Sequence, residues 1–202
     1  MVSWGSLFCW FSGCPVLGIG GPTKYPSGAT SARFATVFSL VQAFAMPRRD
    51  YLLRLIEEAV QVILQITRLR EEGQPSQAVS AVIDGLEKLF GLTVTELGSL
   101  DTDQLFGQLT REEGPENARD KCIIFAALNN QAGLAYAERD LPALSQPAFH
   151  LALIFTLRAL TGFSRSNLPA ITPDVDGLLF QLEGFELPES TLELLAAYRA
   201  TG

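Results

Sequence analysis

The stretch CIIFAALNNQAGLAYAERDLPALSQPAFHLALIFTLRALT, Cys122–Thr161, decides the fold. Apolar residues recur at three- and four-residue steps on both sides of a polar interruption at Arg139–Pro142, which predicts two apolar-faced helices joined by a tight turn. Small Ala126, Gly133, Ser145 and Ala152 alternate with large Tyr136 and Phe149. Pro147 falls early in the second arm, where it can bend the helix or delay its first full turn.

Working outward, the same period recurs upstream. Leu52, Leu55, Ile56, Ala59, Val62, Ile63, Ile66 and Leu69 give a broad apolar face after Pro47 and Asp50, and Gly73 supplies a left-handed stop. A second helix opens at Pro75–Ser76, buries Ala78, Val82, Leu86 and Leu89, and ends at Gly91. So short a connection makes the two antiparallel neighbours. Between Leu92 and Gly114 the signal weakens to one short helix starting at Ser99–Asp101 and anchored by Leu105, Phe106 and Leu109. Pro115 opens the first arm of the central pair. After Gly162 a turn-rich loop leads to a helix start at Thr172–Asp174, and Pro188–Glu189 open a last helix. No segment alternates with period two, so the body is expected to be all-α, built of antiparallel helical hairpins.

The sequence has 202 residues, 15 Lys and Arg against 22 Asp and Glu, and a net charge of −7. Only Lys24 and Arg33 precede position 46, and no acid does, so residues 46–202 hold 13 bases against 22 acids. A body that acidic repels phosphate backbones, and no nucleic-acid partner is expected. Residues 1–45 differ in kind. They carry Trp4, Trp10, Cys9 and Cys14, with glycines breaking the apolar run that a signal sequence or membrane span needs. They are read as an extension outside the folded body: a mis-assigned start before Met46, a disordered tail or an export segment. Residues 46–202 form the domain, and no membrane span is expected in them. Cys122 is the one cysteine of that body, which makes no intramolecular disulfide and fits a cytoplasmic location.

The spacing in the central stretch resembles a tetratricopeptide repeat. Gly133 takes the small position of the first helix and Tyr136 the aromatic one, while Ser145, Phe149 and Ala152 take the small, aromatic and small positions of the second. Gly73 and Ala78 match a turn glycine and the small residue five later, and Tyr198 and Gly202 an aromatic four before a turn glycine. Arg139 stands where a turn glycine would be, and the proline usual near Leu157 is missing. The body also resembles a bacterial family of small all-helical proteins with degenerate repeats of this kind, through RRDYLLRLIEE, EKLFGL and ELPESTLELLAAYRATG. The resemblance implies a short tetratricopeptide-like array and attaches no activity to it.

Few residues carry the pattern of a reaction centre. His150, the one histidine, sits beside Phe149 on an apolar helix and reads as a core-edge or surface residue. One His and one Cys in the body fall short of a zinc site, so no metal is expected. Gly162-Phe-Ser164-Arg-Ser166 approximates a nucleophile elbow but lacks the final glycine and the preceding strand. Cys122 among Ile123, Ile124 and Phe125 reads as a buried small residue. Glu57–Glu58, Asp101/Asp103 and Glu112–Glu113 read as solvated or capping carboxylates. No phosphate loop or dinucleotide fingerprint is present, and no cofactor is expected.

Asn129, Asn130 and Gln131 interrupt an apolar helix at a cost in helix propensity. In the resembled array the first helix of a hairpin lines a concave face, which would place Asn130, Leu134, Ala137 and Glu138 there. The carboxylate clamp of such arrays uses Lys and Asn on this helix. Asn130 and Leu134 stand in those places, so recognition of an acidic C-terminus is not implied. The leading expectation is a non-enzymatic module binding a protein or peptide partner at Asn130, Leu134 and Glu138. The alternatives are a small hydrolase whose site the sequence does not reveal, and an envelope protein exported by residues 1–45. Because no helix follows the last one, Leu192, Leu195 and Tyr198 are expected to contact a second copy in a homodimer.

Overall fold

A computed structural model describes residues 48–201, which form helices and connections; among these residues there is no strand. The expectations for residues 1–45 lie outside the described residues. The helices are α1 (Arg48–Glu71), α2 (Pro75–Phe90), α3 (Val94–Ser99), α4 (Thr102–Thr110), α5 (Pro115–Ala137), α6 (Pro142–Gly162), α7 (Val175–Gln181) and α8 (Glu189–Ala200). The all-α expectation is met.

Chain-local chemistry sets the boundaries. Gly73 (φ 72°) and Gly91 (φ 67°) take the left-handed backbone that stops α1 and α2. Past the first stop, the Gly73 amide donates to the Arg70 carbonyl at 2.9 Å and the Gln74 amide to that of Leu69 at 2.8 Å. The weak region between Leu92 and Gly114 holds two helices rather than one, each opened by a reciprocal cap. Thr93 and Glu96 cap α3, with the Thr93 amide donating to Glu96 Oε2 at 2.8 Å. Asp101 and Gln104 cap α4, with the Gln104 amide donating to Asp101 Oδ1 at 2.7 Å. At the central turn Asp140, one residue beyond Arg139, is left-handed (φ 54°), and Leu141 rather than Asp140 occupies the cap of α6. α6 runs through Pro147, which has no amide hydrogen to give to the helix ladder.

Packing runs from one end of the chain to the other. α1 packs on α2, both pack on α5, α4 packs on α5, α5 packs along α6, and α7 and α8 pack on the far side of α6. α6 is therefore buried on two sides, which explains why it is apolar nearly all round. One of its faces gives Leu151, Ile154, Phe155 and Ala159 to a core shared with α1, α2, α4 and α5; the other gives Phe149, Ala152, Leu153 and Leu157 to a second core with Val175, Leu178, Leu182 and Leu195. Among the described residues α6 is the helix long and apolar enough to cross a membrane, and 67% of its apolar window is buried inside the protein. Aromatic rings tie the first core, with Phe125 4.6 Å from Phe155 and 6.0 Å from Phe90 between centroids.

Two glycines allow close helix approach. A Cβ on Gly133 of α5 would lie 2.6 Å from two ring carbons of Phe149 on α6, and one on Gly85 of α2 would lie 2.7 Å from Val62 of α1. The docking of α8 on α6 corrects the expectation that the last helix has no partner. Leu195 is 7% exposed in the second core, and Tyr198 packs against it, so neither is presented for contact with another chain. Leu192 alone of the three stays open, at 50%.

Candidate binding surface

Successive residues of a helix point roughly 100° apart, and the three adjacent amides of α5 separate accordingly. Asn129 is buried, and its amide donates to the Phe125 carbonyl of its own helix at 2.8 Å. Gln131 accepts at 2.9 Å from Arg70 Nη1 at the end of α1. Asn130 is half-buried, and its side-chain amide makes no hydrogen bond among the described residues. One turn on, Leu134 is also half-buried and Glu138 exposed.

Glu138 is already engaged. Its Oε1 accepts from Arg70 Nε at 2.9 Å and Nη2 at 2.6 Å. Arg70 thereby joins the C-terminal ends of α1 and α5, with the cation placed where helix dipoles favour it. Of the three residues expected on a concave face, Asn130 and Leu134 share one side of α5 and keep exposed atoms, and Glu138 forms a fastened rim beside them.

The N-terminal half of that side carries Arg119, eleven residues before Asn130 and so within about 20° of it around the helix. Arg119 and Asp120 form a buried ion pair, Nε to Oδ1 2.7 Å, with side chains 5% and 6% exposed. The rest of the Arg119 guanidinium holds the connection 163–174: Nη1 donates to the carbonyls of Ser164 and Ser166, each at 2.8 Å, and Nη2 reaches that of Asn167 at 3.4 Å. Asn167 is left-handed (φ 54°), and Leu168 and Ile171 beyond it pack into the first core. The chain's own irregular segment is thus bound to one half of this side of α5 by backbone carbonyls and apolar anchors.

Arg165, in the same connection, closes the other end. Its Nε donates to the Leu160 carbonyl at 2.9 Å, Nη2 to that of Tyr198 at 3.1 Å, Nη1 to that of Thr201 at 3.3 Å, and its guanidinium lies 4.7 Å from the Tyr198 ring centroid. One cation serves the C-terminal carbonyls of both α6 and α8. Helix-dipole chemistry places Arg70 at the C-terminal end of α1, but no spacing marks its bond to Glu138 or the roles of Arg119 and Arg165. The available signal was Arg119-Asp120 inside a helix otherwise apolar on that side, since charged residues at buried positions need partners.

The residues weighed for chemistry are used elsewhere. His150 is buried, its Nε2 2.9 Å from Thr191 Oγ1 of α8 and its ring 5.5 Å from that of Phe185. Burial pulls its pKa down to about 4, so the imidazole is neutral at pH 7. Ser164 Oγ lies 2.7 Å from Ser166 Oγ and accepts from the Ser166 amide at 3.3 Å. Cys122 is fully buried with its thiol pushed up to about 12 by desolvation, which makes it unreactive. Asp101 caps α4, Asp103 pairs with Arg158, and Glu113 pairs with Lys121 at 2.6 Å. Among the described residues no group of three or more His, Cys, Asp or Glu side chains is placed to hold a metal ion.

The fold and this surface define an all-helical domain with a partly open helix side. No protein-family profile, curated protein or solved structure matches the chain.

Proposed function

We propose that the protein is a non-enzymatic, cytoplasmic interaction module, a short tetratricopeptide-like array of hairpins, that docks a peptide or helix along α5 beside Asn130 and Leu134. The observation that carries this reading is the division of one side of α5. Its N-terminal half holds the chain's own segment 163–174 through Arg119, while its C-terminal half keeps an amide without a partner at Asn130 and an incompletely covered leucine at 134. A side chain amide there suits the backbone of a bound segment, and Leu134 suits an apolar anchor. The Arg70–Glu138 pair would border the site rather than bind the ligand directly. A small hydrolase is the less favoured reading, because His150 and Ser164 bond to different partners.

The test is affinity capture from native lysate with the full chain, beside an Asn130→Ala/Leu134→Glu variant whose helicity matches by circular dichroism. A partner kept by the parent and lost by the variant supports the module. Partners indifferent to the variant, or none, remove this surface from consideration.

A further inference from the structure

The outward side of α1 carries a stripe of residues that no other helix among the described residues covers. Leu52, Leu55, Ala59 and Ile66 point α1 into the first core. Diametrically opposite, Arg54, Glu57, Gln61, Leu64, Arg68 and Glu71 follow one another at steps of three and four, and all six are exposed. Residues at these steps share one face of the helix, so a second helix laid along it would meet all six. Leu64 is 57% exposed and Leu53, on its flank, 53%, two of the most exposed large apolar side chains among the described residues.

The charge order along the stripe is self-complementary in one orientation. It reads plus, minus, polar, apolar, plus, minus from Arg54 to Glu71. Placing a second copy antiparallel about a two-fold axis between Val62 and Ile63 sets Arg54 against Glu71, Glu57 against Arg68, and Gln61 against Leu64. Symmetry doubles each pairing. Half-buried Val60 and exposed Leu64 of each copy then meet beside the axis, an apolar centre with two charge pairs on either side. Beside the stripe, an open groove of about 500 Å³ lies between α1 and Lys88 of α2, lined by Glu58, Gln61, Val62, Leu64 and Arg68 among others. The contacts given up are weak ones, since the Arg68–Glu72 pair at 2.8 Å and the Lys88–Glu58 pair at 3.4 Å are both solvent-exposed.

We propose that α1 is a homodimer seam, two copies pairing antiparallel through Arg54, Glu57, Leu64, Arg68 and Glu71. This moves self-association away from Leu195 and Tyr198, and it is independent of the surface at Asn130.

The test is sedimentation of the full chain at tens of micromolar and low salt, a range where modest self-affinity is visible. The parent is expected at twice its 22.0 kDa mass, with association weakening as salt rises. Glu57→Arg and Arg68→Glu each turn two attractive pairs repulsive, and each is expected to weaken association at least about tenfold. Mixing the two variants restores both pairs, so the mixture is expected to dimerise where neither does alone. All six stripe positions are exposed, so helicity should stay at the parent's value. A parent that sediments as a monomer overturns the proposal. So does a dimer indifferent to the single reversals, or a mixture that stays monomeric.

Discussion

Gly133 lies against the ring of Phe149 so closely that a Cβ would come within 2.6 Å of two ring carbons and 2.9 Å of a third. The ring is 1% exposed and sits between the second core and α5, so it cannot swing into solvent. Replacing Gly133 with Ala gains up to about 1 kcal/mol of helix propensity, but overpacking a filled core costs about 1–3 kcal/mol. The clash wins, and Gly133→Ala is expected to lower the urea midpoint. Gly107 of α4 is the control, because nothing lies within 4 Å of its Cβ position. Gly107→Ala should raise stability by about 0.5–1 kcal/mol. Equal effects at the two glycines would contradict the close approach.

The buried pair Arg119–Asp120 makes a prediction about asymmetry. Arg119→Ala strands the Asp120 carboxylate in the interior and leaves the carbonyls of Ser164 and Ser166 without their donor. Breaking a buried pair from one side costs about 3–5 kcal/mol, whereas replacing both partners with apolar residues of similar volume is often near neutral. Arg119→Met/Asp120→Leu should therefore be more stable than Arg119→Ala. Loop 163–174 should still exchange its amides faster in the double variant, because its carbonyl anchor is gone. Chemical denaturation and hydrogen exchange separate the two effects.

Arg165 should behave as a fastener of α8. Its bonds to the carbonyls of Leu160, Tyr198 and Thr201 span two helix ends with one planar fork. Lys offers a single point of charge in its place and cannot reproduce that geometry. Both Arg165→Ala and Arg165→Lys are expected to loosen α8, by about 1–3 kcal/mol, seen as faster amide exchange in Glu189–Ala200 than in α5. Exchange that rises equally in both helices would show that α8 is held by its leucines instead.

The long-range bonds of Arg70, Arg119 and Arg165 mark the limit of what the sequence discloses. Helix ends are local: Gly73, Gly91, Pro115 and Asp101 act on atoms within a few residues, and the predicted boundaries at these points agree with the structure. α3 escaped because six residues are too few to show a period, although Thr93 and Glu96 spell a capping box. Period also says which face of a helix is apolar without saying what will cover it. Leu195 and Tyr198 were expected to face a second chain; they face α6, because the connection 163–174 returns the chain there. At the candidate surface, Asn130 and Leu134 are legible as a polar–apolar pair on one helical side. The bond from Arg70 to Glu138 crosses 68 positions, and no spacing rule reaches that far.

His150 links stability to pH, and the sign follows from its environment. Thr191 and Phe185 face the ring, and burial lowers its pKa from 6.5 to about 4. The unfolded chain, with an ordinary histidine, binds a proton near pH 6.5 while the folded chain does not. The neutral form's contribution is therefore full above about pH 6.5. It is lost progressively as pH falls toward 4, up to about 3 kcal/mol over that window. Below it, protonation of the folded imidazole sets a charge in the buried contact between α6 and α8, so α8 should loosen first. His150→Gln keeps a polar contact for Thr191 and removes the titration. Its urea midpoint should fall less between pH 7 and pH 4 than that of the parent. Parallel pH profiles for the two proteins would show that carboxylates, not His150, govern acid sensitivity.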